Sequence, residues 1–83
     1  MTEFKVSLHS VSDVKQFVSA ASLMPVDIDV ASGRYIVDAK SILGLCSLDL
    51  EKPVLVRVYG GESDGARFRE QVENLICISD EMI

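Results

Sequence analysis

Two different hydrophobic periods take turns along this chain of 83 residues, and their order constrains the fold more than any other feature. Apolar and polar residues alternate in segments 3–8 and 26–30 and partly in segment 54–59, which is rich in β-branched residues. Segment 34–37 follows the turn signal Ser32-Gly33 and is predicted as the second strand of a hairpin. Alternation with a period of two is typical of a strand with one buried face. The stretches between and after these segments contain apolar residues three and four positions apart, as on one face of a helix. The chain therefore predicts strands and helices interleaved within one small domain.

Three segments have the signals of helices. The first begins at Ser10-Val11-Ser12-Asp13, a weaker relative of the capping box, and ends before Pro25. The second is short and runs from Ser41 to Ser47, and the third follows the Gly60-Gly61 break. The predicted order is β-α-β-β-α-β-α, which favours an open-faced α/β sandwich. The predicted core consists of Val14, Phe17, Val18, Leu43, Val56, Phe68, Val72 and Leu75.

Length and charge restrict the domain count and the classes of partner. Residues 1–83 are enough for one domain. The net charge of -5 argues against nucleic acid and anionic membranes, because both bind basic surfaces. No apolar run approaches the roughly 20 residues that span a bilayer. The first strand begins almost at once, so we expect no signal peptide and a cytoplasmic protein.

The sequence shows no pattern typical of a metal or cofactor site. One histidine and two distant cysteines, Cys46 and Cys77, do not form a zinc motif. We expect both cysteines to be reduced, small, buried residues. Asp27 and Asp29 alternate with apolar residues and are expected on a solvated strand face. Ser79 to Ile83 carry no clear pattern, and we expect this segment to fray.

One segment, residues 38–50, carries a specific resemblance to a known family. It reads Asp-Ala-Lys-Ser-Ile-Leu-Gly-Leu-Cys-Ser-Leu-Asp-Leu. It resembles the regulatory-serine segment of the HPr family, the phosphocarriers of the bacterial phosphoenolpyruvate:sugar phosphotransferase system. In that family a Lys-Ser-Ile/Leu pattern opens a short helix, and the serine is the target of a regulatory kinase. The resemblance implies that Ser41 is a regulatory phosphorylation site.

The resemblance extends over the whole chain through weaker matches and supplies a topology. These matches are Phe4-Lys5-Val6, Phe17-Val18 and Gly33. The topology that it implies is a four-stranded antiparallel sheet with three helices on one face. The fold class that we predict is therefore α+β, an HPr-like open-faced β-sandwich.

The phosphotransfer site of the HPr family is altered in this chain. In HPr proteins a histidine followed by Ala/Thr-Arg-Pro starts the first helix and accepts the phosphoryl group. The histidine position falls on Ser10, the arginine position on Ser12 and the proline position on Asp13. We expect Ser10 to be a simple helix cap, which replaces the phosphate-binding helix end. A shift by one residue makes His9 the alternative phosphoryl acceptor, although Asp13 would repel the phosphate.

Around Ser41 a structural role and a regulatory role are both open. Serine is a favoured helix cap, and a phosphate is tolerated at a helix start. In HPr proteins the apolar residues near this serine form a docking patch. We expect Ile42, Cys46 and Ser47 to form the exposed part of such a partner-binding patch, with Leu43 and Leu45 in the core.

These observations lead to one main hypothesis and two alternatives. We expect an HPr-like docking protein in the control of carbon metabolism, not an enzyme, without phosphohistidine transfer and switched by phosphorylation of Ser41. Its expected partners are proteins: phosphotransferase-system components, a serine kinase or a transcriptional regulator. The first alternative is an active phosphocarrier that passes a phosphoryl group from enzyme I to sugar transport components through His9. The second is a domain that keeps the fold and has lost both roles.

Overall fold

The computed structural model of the protein describes residues 1–77, so the segment from Ser79 to Ile83, which we expect to fray, lies outside the described residues. The order of strands and helices is the predicted one. Segment 3–8 forms a strand only as far as Val6, and the third helix changes at Val72 into a short 3-10 turn. The elements are β1 (Thr2–Val6), α1 (Val11–Ser22), β2 (Asp27–Ser32), β3 (Tyr35–Asp38), α2 (Ile42–Cys46), β4 (Val54–Tyr59), α3 (Glu62–Gln71) and the 3-10 turn Glu73–Leu75.

The four strands form one antiparallel sheet in the order β1-β4-β2-β3. The chain crosses from β1 to β2 through α1, and β4 later inserts between these two strands. The helices cover one face of the sheet and leave the other face open. This arrangement confirms the predicted α+β open-faced sandwich.

A tight turn joins β2 to β3. Ser32 pairs with Tyr35, so Gly33 and Arg34 are the two loop residues. Gly33 has a φ of 60°, which a residue without a Cβ adopts readily, and it is the first central residue, as in a type II′ turn. The predicted hairpin is present, with the loop one residue later than the predicted Ser32-Gly33.

Alternate residues of the strands pack under the helices to form the core. Phe68 of α3 lies between two other rings: its centroid is 5.4 Å from that of Phe17 and 6.2 Å from that of Phe4. Two predicted core residues differ from expectation. Val18 is only half-buried, although it packs against the core, and the side chain of Leu43 is 82% exposed. The confirmed core residues are Val14, Phe17, Val56, Phe68, Val72 and Leu75.

The two edges of the sheet differ. The segment after α3 runs beside β1, where Ser7 N–H donates to the Leu75 carbonyl and Cys77 N–H donates to the Lys5 carbonyl. An antiparallel bridge between Val6 and Ile76 lies between these bonds. The end of β1 is therefore paired on both sides. The outer edge of β3 has no strand beside it within residues 1–77.

Candidate functional site

Side chains at the start of α1 accept hydrogen bonds from the backbone N–H groups there. The hydroxyl of Ser10 accepts a hydrogen bond from Asp13 N–H at 3.1 Å, which confirms Ser10 as the N-cap. The carboxylate of Asp13 in turn accepts from His9 N–H at 3.0 Å. A negative group thus already lies in the first turn, where it interacts favourably with the helix dipole. A second anion at this position would meet electrostatic repulsion.

The predicted alternative acceptor, His9, lies just before this cap. Its side chain is exposed, and its backbone N–H is bound to Asp13. Ser12, at the arginine position of the family, is exposed on the first turn and carries no positive charge. The structure therefore brings His9 to the surface without a cationic side chain at the matching position.

The loop from residue 38 to residue 41 fixes the start of α2 through three hydrogen bonds. Lys40 N–H donates to the Asp38 carboxylate at 2.8 Å, and Ser41 N–H donates to the Asp38 carbonyl at 3.0 Å. The ammonium group of Lys40 donates to the carbonyl of Met24 at 3.1 Å. Lys40 thus links this loop to the end of α1, where a positive charge is favourable.

Ser41 is the N-cap of α2. Its hydroxyl accepts from Gly44 N–H at 3.1 Å, and the residue is half-buried. No acidic residue lies in the first turn of α2, in contrast to α1. The capping role that was left open for Ser41 is thus present, at the start of a short, five-residue helix.

The surface beside Ser41 is apolar, with one unexpected member. Ile42 is 39% exposed, and Cys46, one turn later, is also exposed, as is Ser47. Leu43 is 82% exposed, so our expectation that it lies in the core was wrong. We call Ile42, Leu43 and Cys46 the α2 patch.

The exposure of Leu43 follows from helix geometry. Leu45 is fully buried, and residues two positions apart point about 200° away from each other around a helix. Leu48 is also buried and lies three positions after Leu45. The spacing of Leu45 and Leu48 was the sequence signal that places Leu43 on the outer side.

A groove of about 410 Å³ brings α2 and the start of α1 together. Its apolar walls are Leu8, Val11, Val14, Cys46 and Leu50, and its polar members are His9, Ser10 and Glu51. The two sites singled out in the sequence, the family's histidine position and the regulatory-serine helix, therefore border one surface. Ser41 itself lies at the other end of α2.

The cysteines differ from the expectation that both are buried. Cys46 is exposed in the groove, and Cys77 is half-buried. Within residues 1–77 no three His, Cys, Asp or Glu side chains lie close enough together to hold a metal ion.

On the open face of the sheet, Asp29 holds a small polar cluster. Arg57 donates to its carboxylate at 2.8 Å and 3.3 Å, and the Tyr59 hydroxyl donates at 2.6 Å. The hydrogen bond to Asp29, followed by desolvation, raises the pKa of Tyr59 above its ordinary value of 10.0. The hydrogen bond to Asp29 also raises the pKa of Arg57. Asp29 is thus half-buried and paired, whereas Asp27 is exposed as predicted.

Comparison with solved structures identifies the architecture. The structure is similar to the crystal structure of HPr-C-His from Thermoanaerobacter tengcongensis, with a TM-score of 0.72. The two share 24% sequence identity, and the match covers 89% of this chain and 93% of that one. The chain has an HPr-like fold.

The likeness to HPr proteins is one of structure. No protein-family model and no curated protein matches the sequence. Within residues 1–77 none of the helices has the length and apolar character to cross a bilayer.

Proposed function

We propose that this HPr-like protein is a regulatory docking protein of the sugar phosphotransferase system. It binds a partner protein through the α2 patch, and phosphorylation of Ser41 changes that binding. It does not carry phosphohistidine. Its partners are a serine kinase and either a transport component or a transcriptional regulator.

The observation that carries the proposal is the difference in charge between the first turns of α1 and α2. At α1 the Asp13 carboxylate bonds to His9 N–H, so the position of the family's phosphohistidine already holds a negative charge. At α2 the first turn has no acidic residue. The first turn of the helix that accepts phosphate from enzyme I in HPr proteins thus holds a carboxylate, whereas the first turn after Ser41 holds none. The nearest carboxylate before Ser41, that of Asp38, is bound by Lys40 N–H.

The surroundings of Ser41 support a switch. The Lys-Ser-Ile motif of the family is present at residues 40–42, and Ile42 and Leu43 are exposed directly after the serine. Exposed apolar side chains grouped together are typical of protein interaction surfaces. A phosphate on Ser41 would add close to two negative charges beside the patch and so oppose the binding of an apolar or acidic partner surface.

The first experiment separates the proposal from a working phosphocarrier. The protein is incubated with phosphoenolpyruvate and enzyme I, next to an ordinary HPr as a positive control. We expect no acid-labile phosphate. Acid-labile phosphate on the native protein that disappears in His9→Ala would overturn the proposal and favour phosphotransfer through His9, which is exposed beside the groove.

The second experiment tests the regulatory serine. The protein is incubated with ATP and a serine kinase that acts on HPr proteins. We expect acid-stable phosphate on Ser41, none in Ser41→Ala, and unchanged labelling in Ser10→Ala, where the other helix cap is removed. A native protein that stays unlabelled while an ordinary HPr is phosphorylated would contradict this role.

A matched pair of substitutions tests the switch itself. Ser41→Asp places a carboxylate at the N-cap of a helix with no acidic residue in its first turn, where it is favoured by about 0.3–1 kcal/mol. Ser10→Asp makes the same change of charge at the N-cap of α1, beside Asp13, and is the matched control. We expect Ser41→Asp to keep the thermal stability of the native protein and Ser10→Asp to keep the fold, checked by circular dichroism. Only Ser41→Asp should change the affinity for the serine kinase, measured by calorimetry. Equal affinities for the two variants would show that charge at Ser41 does not reach the docking surface.

A further inference from the structure

The open edge of the sheet has unused backbone groups. Ala39 N–H donates to the Ile28 carbonyl, so Ile28 and Ala39 are a hydrogen-bonded pair of the β2–β3 ladder. Hydrogen-bonded and non-bonded pairs alternate along an antiparallel ladder. Ile36, opposite Ala31, is therefore at a non-bonded position, and its N–H and carbonyl point away from β2 toward the open edge.

Two large apolar side chains lie on the same edge. Tyr35 is 70% exposed and Ile36 is 58% exposed. Exposed strand edges with apolar side chains are templates for pairing with another chain. The end of the opposite edge is already covered by the segment that contains Ile76. Within residues 1–77, β3 is therefore the edge strand beside which no other segment pairs.

The charges that flank this edge identify the partner. Arg34 lies just before β3 and Asp38 at its end, and both are exposed. Asp38 lies directly opposite Asp29, a like-charged pair whose other member already binds Arg57. Like charges opposite each other destabilise a sheet. Within the part of the chain that the structure describes, the residue opposite Asp38 is an aspartate, and the Asp38 carboxylate is bound by a backbone N–H, that of Lys40. Arg34, at the other end of the same edge, is a cationic side chain that a second copy can place opposite Asp38.

We propose that β3 pairs with β3 of a second copy of this protein, antiparallel and with the two-fold axis at Ile36. In this register Arg34 of each copy lies opposite Asp38 of the other, and Tyr35 lies opposite Val37. The two Ile36 residues lie opposite each other and exchange both of their N–H···O bonds. Asp38 N–H reaches the Arg34 carbonyl of the other copy, since the Asp38 carbonyl is already bound by Ser41 N–H.

Other registers of the β3–β3 ladder pair fewer charged side chains with opposite charges. A shift by two residues places Ile36 opposite Asp38 or Arg34 of the second copy, so that an apolar side chain faces a charge. Parallel pairing in register places Arg34 beside Arg34 and Asp38 beside Asp38. The charges therefore favour a closed two-fold dimer over open stacking. Because the ladder is short, we expect the dimer to be weak and to dissociate on dilution. This inference does not depend on the proposed function.

Charge reversal tests the register. In Arg34→Glu both symmetric contacts become acid against acid, and in Asp38→Arg they become base against base. Since each dimer contains the contact twice, we expect the dissociation constant of each variant to rise on the order of tenfold or more in sedimentation equilibrium. A mixture of the two variants should associate again, because both contacts of the mixed dimer then join opposite charges.

The controls make the result specific. Arg67→Glu makes the same change of charge on the exposed side of α3 and should leave self-association unchanged. Ile36→Lys places two ammonium groups at the two-fold axis and should abolish it, with a circular dichroism spectrum that shows an intact fold. A native protein that stays monomeric at high concentration overturns the proposal. So does a dimer that persists in both single reversals, or a mixture that does not associate.

Discussion

The two faces of the sheet are made by the same four strands and have opposite chemistry. On the face under the helices, Val30, Val56 and Phe4 lie in a continuous apolar core. On the open face, the neighbours of these residues along the strands are Asp29 and Arg57, which form an ion pair with both side chains still in contact with water. Because side chains alternate along a strand, successive residues of the same strand form the two different faces.

The difference shows where the chain can change. The helix-bearing face has no buried polar side chain within residues 1–77, so its stability comes from burial and packing. The open face contributes polar contacts of small energy. The charges at the edge and on the open face can therefore vary without loss of the fold, whereas the core residues cannot.

The largest expected effect is on the helix-bearing face. Phe68→Ala removes the ring that contacts both Phe17 and Phe4, and we expect the free energy of unfolding to fall by about 3–5 kcal/mol. Leu55→Ala truncates a half-buried residue of the open face and should cost about 1 kcal/mol or less. Urea denaturation measures both. Equal costs would mean that the two faces do not differ in packing.

The next effect concerns the close approach of α3 to β1. A Cβ added at Gly65, which is buried, would overlap the side chain of Thr2. Gly65→Ala must push the helix from the sheet and should cost about 1–3 kcal/mol. Gly61→Ala is the matched control: a Cβ there meets nothing within 4 Å, and only the weaker helix cap costs about 0.5 kcal/mol. If thermal melts rank the two variants in the reverse order, α3 does not lie as close to β1 as described.

The smallest effect is a pH dependence on the open face. The pKa of Tyr59 is raised in the folded protein, so the neutral phenol is favoured by folding. This contribution is fully present below the ordinary pKa of 10.0 and is lost as the pH rises through the folded value. When the pH rises from about 9 to about 11, the free energy of unfolding should therefore fall less for Tyr59→Phe than for the native protein. Parallel curves for the two proteins would rule out the contribution of the Tyr59–Asp29 bond.

Much of the fold could be predicted from the sequence because periodicity is a local property. Alternation placed β1, β2 and in part β4, the turn signal Ser32-Gly33 placed β3, and the capping serines Ser10 and Ser41 placed the starts of two helices. Leu43 was misassigned because in a five-residue helix both Leu43 and Leu45 are apolar, and only the phase relative to Leu48 decides which is buried. Short apolar helices lack the turns needed to define a stripe.

The candidate site was less accessible to sequence reasoning because its contacts join distant parts of the chain. The bond between Lys40 and the Met24 carbonyl, and the groove that Cys46 shares with His9, depend on how α1 and α2 pack together. No spacing in the sequence encodes these distances. The resemblance to HPr proteins located Ser41 and Ile42, and only the structure added Leu43 to the exposed surface.

The position of β1 in the sheet has a consequence for folding during synthesis on the ribosome. The strand β1 leaves the ribosome before β4 and the segment around Ile76, with which it pairs. During synthesis the hairpin of β2 and β3 can close early, because its partners are neighbours in the chain. The apolar side of β1, with Phe4 and Val6, lacks its neighbouring strand until β4 has been synthesised. Nascent chains stalled before residue 54 should therefore be the species that chaperones bind most strongly.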